Sequence, residues 1–205
     1  MTDVSIVVAR PQNAAHLVLL FHGVGSSAGN LVPLAELIVK ARPDAMVVSV
    51  DGPHPTGPGA GRQWFSVAGV TEHNRPERVE QALPLFRDTI ARWQLASGLG
   101  ADNTTLIGFS QGGIMALEAT QAGDTQALCV IALAGRFAQP VRRAPPDVRY
   151  HLIHGADDPV IRAAFSLEVA PVLQQLGAEV TLDVLPGLGH GIDMRVAKLV
   201  TGYLA

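Results

Sequence analysis

The sequence predicts an α/β domain, a doubly wound and mostly parallel sheet with helices on both of its faces. Strand-like and helix-like apolar patterns alternate along all 205 residues, which is typical of this class. Several strand segments are continuously apolar, among them LVLLF, MVVSV and CVIAL, as expected for strands that helices cover on both sides. The length suits one domain, so we assign residues 1–205 to a single α/β unit.

The apolar periodicity and the turn residues place the elements along the chain. We predict strands at Ser5–Ala9, Leu17–Phe21, Met46–Val50, Thr104–Phe109, Leu128–Leu133, Tyr150–His154 and Glu179–Leu185. We predict helices at Leu31–Ala41, Pro76–Ser97, Gln111–Gln121, Ile161–Leu176 and Ile192–Tyr203. Asn30 is the expected N-cap of the first helix. Four Gly and three Pro argue against any regular structure in residues 51–61.

Composition excludes several classes of function. With 18 acidic and 15 basic residues, the net charge of −3 provides no electrostatic footprint for nucleic acid. The single cysteine, Cys129, rules out an internal disulfide and any multi-cysteine zinc or iron–sulfur site. The start of the chain lacks the pattern of an export signal, and no apolar segment approaches the roughly 20 residues of a membrane span. We therefore expect a cytoplasmic protein without stable membrane insertion.

Chemically reactive residues follow several predicted strands, at the sheet edge where α/β proteins bind ligands. Residues Gly108–Gly112 form a G-x-S-x-G sequence between a strand and a helix, the context of a nucleophilic serine on a sharp turn. In that turn, side chains at the two glycines would collide across the serine. The functional interpretation makes Ser110 a nucleophile, and the structural alternative makes it a helix cap.

A serine nucleophile needs a base, and the base needs a carboxylate. His190 lies in a glycine-bracketed loop after the last strand and is the expected base. Asp157 and Asp158 are adjacent candidates for the carboxylate, and spacing barely separates them because Asp158 could equally cap a helix that starts at Pro159. Backbone N–H groups of Val24 and Gln111 are candidates for an oxyanion hole.

Two other interpretations remain open at this point. Residues 23–28, GVGSSA, fit the G-x-G-x-x-A fingerprint of a dinucleotide-binding oxidoreductase, with Asp51 after the next strand. That interpretation leaves Ser110, Asp158 and His190 without a role, and we rank it below hydrolysis. The second alternative is a binding protein whose triad is not used.

Five segments together resemble the α/β-hydrolase superfamily, and within it the small carboxylesterases that include acyl-protein thioesterases and lysophospholipase-like enzymes. The segments are LLFHGVGSS (19–27), GRQWF (61–65), GFSQGG (108–113), HGADDPV (154–160) and GLGH (187–190). The fuller agreement around GRQWF suggests a bacterial carboxylesterase branch. The resemblance implies a triad and an oxyanion hole at the residues Ser110, Asp158, His190, Val24 and Gln111. It further implies an ester, thioester or lysophospholipid substrate, and neither a metal nor an organic cofactor.

The resemblance does not extend to substrate choice. Ser26 and Ser66 stand where such enzymes often carry Asp, and both positions shape the site. Trp64 and Phe65 are expected either to line an apolar acyl pocket or to anchor a long loop onto the core. Only about fifteen residues follow the strand Leu128–Leu133 before the next strand, so we expect a minimal hydrolase without a lid, as a monomer or homodimer.

Overall fold

A computed structural model describes residues 5–59 and 61–205 and confirms the predicted fold class. Its strands are β1 (Ile6–Ala9), β2 (His16–Phe21), β3 (Ala45–Val50), β4 (His54–Pro55), β5 (Arg62–Gln63), β6 (Thr104–Phe109), β7 (Cys129–Leu133), β8 (Arg149–Gly155) and β9 (Glu179–Leu185). Its α-helices are α1 (Val32–Ala41), α2 (Arg75–Ser97), α3 (Gln111–Ala119), α4 (Ala164–Gln175) and α5 (Met194–Leu204).

Seven of the strands form one sheet in the order β1-β3-β2-β6-β7-β8-β9. Strand β1 runs antiparallel to β3, and the remaining neighbours are parallel. The carboxyl ends of β2, β6, β8 and β9 therefore lie along the same edge of the sheet. That edge is where ligands bind in this class of fold.

Helices cover both faces of the sheet, which explains the continuously apolar strands. Along β2, Leu17, Leu19 and Phe21 belong to a core shared with α2, α3 and α4. The alternating residues Val18 and Leu20 belong to a second core shared with α1 and α5. From Leu17 to Phe21, each side chain of β2 is thus buried on one face or the other, as parallel strands between helix layers require.

Two local predictions are wrong. Helix α1 begins at Val32 after a short 3₁₀ turn, and Asn30 does not cap it, because its amide donates to the Ser26 hydroxyl (2.8 Å). Residues 51–61 do contain regular structure, since β4 pairs with β5 in a short antiparallel ladder. Backbone hydrogen bonds from Gly25 N–H to Arg62 O and from Arg62 N–H to Ser26 O (both 2.8 Å) attach this hairpin to the loop after β2.

Residues 134–148, which join β7 to β8, contain no helix or strand, as expected for a chain without an inserted lid domain. Helix α4 starts three residues later than predicted, at Ala164, because residues 160 and 161 turn back onto the Asp158 carboxylate. In the part of the chain that the structure describes, no helix has the length and apolar character needed to cross a bilayer.

Candidate active site

Ser110 lies on the sharp turn between β6 and α3, in a strained backbone conformation. Its φ of 53° falls in a region that residues other than glycine rarely adopt. The surrounding structure fixes it there, because its N–H donates to Leu133 O (2.9 Å) and its carbonyl accepts from Ile114 N–H (3.0 Å). Such strain persists only where neighbouring contacts over-determine it, and it is concentrated at functional sites.

The two glycines that flank the turn are needed for different reasons. A Cβ at Gly108 would lie 2.3 Å from the carbonyl oxygen of Gly112, a collision across the turn as expected. A Cβ at Gly112 would instead lie 2.1 Å from the carbonyl oxygen of Phe21. The second contact is with β2, so Gly112 permits α3 to start directly against the neighbouring strand.

His190, in the loop after β9, connects Ser110 to Asp158. Its Nε2 lies 2.9 Å from Ser110 Oγ, and its Nδ1 lies 2.7 Å from Asp158 Oδ2. With the proton on Nδ1 donated to the carboxylate, Nε2 is free to accept the hydroxyl proton of Ser110. The side chain of the neighbouring Asp157 is exposed.

The buried Asp158 carboxylate is held in its charged form by directed donors. Its Oδ1 accepts the N–H groups of Val160 (2.8 Å) and Ile161 (2.9 Å), while Oδ2 accepts from His190. Burial is the largest single influence on this carboxyl and favours the neutral form. The hydrogen bonds from His190 and the two backbone groups together outweigh it and lower the pKa of Asp158.

His154 lies beside this carboxylate without taking the place of His190. Its Nε2 donates to the carbonyl of Ile161 (2.7 Å), its Nδ1 accepts from the Ser166 hydroxyl (2.8 Å), and Nε2 is 3.5 Å from Asp158 Oδ2. Burial lowers the pKa of His154, which keeps the ring neutral. His154 therefore has a structural role, holding Ile161 and Ser166 beside the Asp158 carboxylate.

The loop after β2 lies against Ser110. A Cβ on Gly23 would be 3.2 Å from the Cβ of Ser110, and Val24 lines the same cavity as Ser110 and Gln111. Gln111 is the first residue of α3, so its N–H has no acceptor within the helix. The positive end of the helix dipole favours negative charge at this position.

Buried polar contacts fix the shape of that loop. His22 Nδ1 donates to Gly23 O (2.7 Å), and His22 Nε2 accepts from Gly52 N–H (2.9 Å), while burial lowers the pKa of His22 and keeps it neutral. The Asp51 carboxylate accepts from Ala28 N–H (2.8 Å). Asp51 therefore stabilises the loop, and residues 23–28 lead into a 3₁₀ turn and not the helix that a dinucleotide site requires.

The side chain of Gln111 forms a contact that no pattern in the sequence predicted. Its Oε1 accepts from Trp64 N–H and its Nε2 donates to Phe65 O, both at 2.8 Å. Trp64 is buried in the core, with its Nε1 donating to His22 O (2.8 Å) and its ring edge-on to that of Phe86. Phe65 lines the cavity at Ser110, whereas Trp64 does not.

The cavity beside Ser110 has a volume of about 530 Å³ and a mixed lining. Its apolar wall consists of Val24, Phe65, Val67, Ile114, Val160, Ile161 and Phe165. Its charged wall consists of Glu72, Arg75, Arg136 and Arg162, none of which the sequence patterns had indicated. Within residues 5–59 and 61–205, no group of three His, Cys, Asp or Glu side chains is placed to hold a metal ion.

Comparisons with known proteins give consistent results. The model of the phospholipase/carboxylesterase family matches residues 2–205. The esterase YpfH of Escherichia coli strain K12 is 44% identical over 202 residues, covering 98% of this chain and 87% of that protein. An acyl-protein thioesterase 1 of Neurospora crassa is 26% identical over 152 residues, covering 68% and 62% of the two chains. The crystal structure of esterase PE8 superposes with a TM-score of 0.87 at 30% identity, over 99% and 97% of the chains.

Proposed function

Because this chain belongs to the phospholipase/carboxylesterase family and is a carboxylesterase-type hydrolase, we propose that Ser110, His190 and Asp158 are its catalytic triad. The observation that carries the proposal is the pair of hydrogen bonds that joins the three side chains, 2.9 Å and 2.7 Å long. Such a relay lets a neutral serine hydroxyl lose its proton as it attacks.

In the first step, Ser110 Oγ attacks the ester carbonyl carbon while His190 Nε2 takes the hydroxyl proton. The carbonyl π electrons move onto the oxygen, and the N–H groups of Val24 and Gln111 donate hydrogen bonds to this oxyanion. One such donor contributes about 2.7–4 kcal/mol to the stability of the transition state. Asp158 stabilises the imidazolium that His190 becomes.

In the second step, the tetrahedral intermediate collapses and the bond to the alcohol oxygen breaks. His190 Nε2 gives its proton to that oxygen, and the acyl group remains on Ser110. A water molecule then attacks the acyl carbon while His190 Nε2 takes one of its protons. The second tetrahedral intermediate collapses, the bond between the acyl carbon and Ser110 Oγ breaks, His190 returns the proton to Oγ, and the acid product leaves. Apart from the ester and the water molecule, every reacting group in these steps belongs to this chain.

The substrate of the proposed reaction is a small-molecule ester, with thioesters and lysophospholipids as further candidates. Phe65 is in position to contact the acyl or alcohol part, since it lines the cavity at Ser110. For Trp64 we propose an anchoring role, because its side chain is buried against Phe86 and hydrogen-bonded to His22. We assign residues 1–205 to one hydrolase domain.

Three single substitutions test the triad. In hydrolysis of p-nitrophenyl acetate, Ser110→Ala should abolish turnover, and Asp158→Asn should lower kcat by about 10⁴-fold. Asp157→Asn is the matched control, because Asp157 is exposed and the same chemical change there should leave kcat unaltered. Circular dichroism verifies the fold of each variant. Equal rates for the two Asn variants would contradict the assignment of Asp158.

A further inference from the structure

One wall of the Ser110 cavity carries a cluster of charged side chains that the triad does not use. The Glu72 carboxylate bridges two guanidinium groups, with Oε2 2.6 Å from Arg136 Nη2 and Oε1 2.9 Å from Arg75 Nη2. Arg136 also lies over the ring of Phe165, with its Cζ 4.2 Å from the ring centroid, and Arg162 lies 5.9 Å from the same centroid. All five residues line the cavity.

The charges of this cluster do not balance. Three arginines and one glutamate are the charged residues in the cavity lining, so the wall carries two positive charges beyond those that Glu72 offsets. Asp158 offers no further compensation, because it is buried and hydrogen-bonded to His190. The Nε of Arg75 is buried without an acceptor among the described residues, so Glu72 leaves the cluster incompletely paired.

Arg136 is buried in this wall, and its guanidinium contacts both Glu72 and the Phe165 ring. Its side chain is 6% exposed, whereas that of Glu72 is 72% exposed. The following residues are anchored by buried Glu118, whose Oε1 accepts Ala138 N–H (2.7 Å) and Gln139 N–H (3.3 Å). A preorganised guanidinium in a partly desolvated wall binds an anion without first having to be ordered.

We propose that this cavity selects esters that carry a carboxylate, which Arg136 and Arg162 bind beside the Phe165 ring while Ser110 attacks the ester carbonyl. A carboxylate is the anion that the geometry favours, because the carboxylate of Glu72 already bridges Arg136 and a second guanidinium. The apolar residues Val24, Phe65 and Ile114 accommodate the chain between the two groups. The proposal rests on the hydrolase function proposed for Ser110 and adds the class of substrate.

Two pairs of esters measure the selectivity. Monoethyl adipate and the ethyl ester of adipic acid monoamide differ only in a carboxylate or an amide on the acyl side. The second pair, 4-acetoxybutanoate and 4-acetoxybutanamide, places the same difference on the alcohol side. The wild-type kcat/KM should favour the carboxylate member of at least one pair by about 10- to 100-fold, the range that hydrogen bonds to charged groups contribute. The responding pair identifies the side on which the anion binds.

Substitutions in the charged cluster test whether it causes the preference for carboxylate esters. Arg162→Gln, on an exposed side chain that tolerates substitution, should lower the carboxylate-to-amide ratio, and Arg136→Gln should lower it further. Glu72→Gln removes a repelling charge and should raise the ratio. Arg10→Gln, at an exposed position outside the cavity, should leave it unchanged.

The outcomes separate this inference from the proposed function. Hydrolysis of the amide esters that depends on Ser110, with a carboxylate-to-amide ratio near one in both pairs, would overturn the carboxylate selectivity and leave the triad intact. A wild-type preference that survives both Arg162→Gln and Arg136→Gln would also overturn it. No hydrolysis of the four esters by a protein that hydrolyses p-nitrophenyl acetate through Ser110 would overturn this inference alone, whereas no hydrolysis of p-nitrophenyl acetate either would refute the hydrolase function as well.

Discussion

Replacement of Gln111 by Ala tests how the walls of the active site are supported. The wild-type amide spans from α3 to the segment after β5, accepting from Trp64 N–H and donating to Phe65 O. Gln111 and both partner groups are buried, so water cannot replace the lost contacts without a rearrangement. The backbone N–H of residue 111 remains in the variant, which separates this support from the oxyanion hole.

The expected loss of stability follows from two unpaired groups. A buried donor or acceptor without its partner costs about 1–3 kcal/mol, so the variant should lose about 2–6 kcal/mol of unfolding free energy. That is a large part of the 5–15 kcal/mol typical of a whole domain. The kcat/KM for p-nitrophenyl acetate should also fall, because the Phe65 wall is no longer tied to the residue that follows Ser110.

Urea denaturation, followed by circular dichroism, measures the difference. Gln174→Ala is the matched control, because it makes the same change at an exposed position of α4 and should shift the unfolding free energy by less than about 0.5 kcal/mol. A loss for Gln111→Ala within that same small range would refute the argument that the amide supports the Trp64–Phe65 segment.

Three further substitutions have separate readouts. Gly155→Ala would place a Cβ 2.3 Å from Leu188 O, so it should push apart the loop that carries Asp158 and the loop that carries His190. We expect kcat to fall by about 100-fold, and an unchanged kcat would contradict this. Trp64→Phe leaves His22 O without its donor and should cost about 1–3 kcal/mol in urea unfolding while kcat/KM is retained, whereas a large loss of activity would favour a substrate-binding Trp64. Burial raises the pKa of Glu118, so the free energy of unfolding of the wild type falls as pH rises above the pKa of this carboxyl in the unfolded chain. Gln cannot ionise, so the unfolding free energy of Glu118→Gln relative to wild type should be higher at pH 8 than at pH 4. An equal difference at both pH values would contradict this.

Much of the fold could be predicted because the central strands are buried on both faces and turn residues flank them. Apolar runs and these turn residues located all seven strands of the main sheet to within one residue at each end. The hairpin of β4 and β5 could not be found this way. Its strands are two residues long and are held by backbone bonds to Gly25 and Ser26, which leave no periodicity in the sequence.

Only part of the candidate site could be predicted from the sequence. Ser110 and His190 follow strands in glycine-rich turns, and this local pattern is recognisable in the sequence. Asp157 and Asp158 share the same local pattern, and only the three-dimensional path of the loop brings Asp158 to His190. The direction of the backbone at each residue decides which of the two carboxylates faces His190, and the spacing of residues along the chain does not reveal that direction.

The contacts that sequence reasoning missed join distant segments. The Gln111 amide reaches residues 64 and 65, and Glu72 pairs with Arg136, 64 residues away in the chain, in one wall of the cavity. A glutamine at a helix start and scattered arginines are ordinary surface features in a sequence. Their roles arise from tertiary placement alone.

Fluorophosphonate labelling, mapped by mass spectrometry, tests the central claim most directly. We expect one label on Ser110, loss of ester hydrolysis in proportion to labelling, and no label in Ser110→Ala. A wild-type protein that hydrolyses esters while Ser110 stays unlabelled, or a Ser110→Ala variant that keeps its activity, would contradict it.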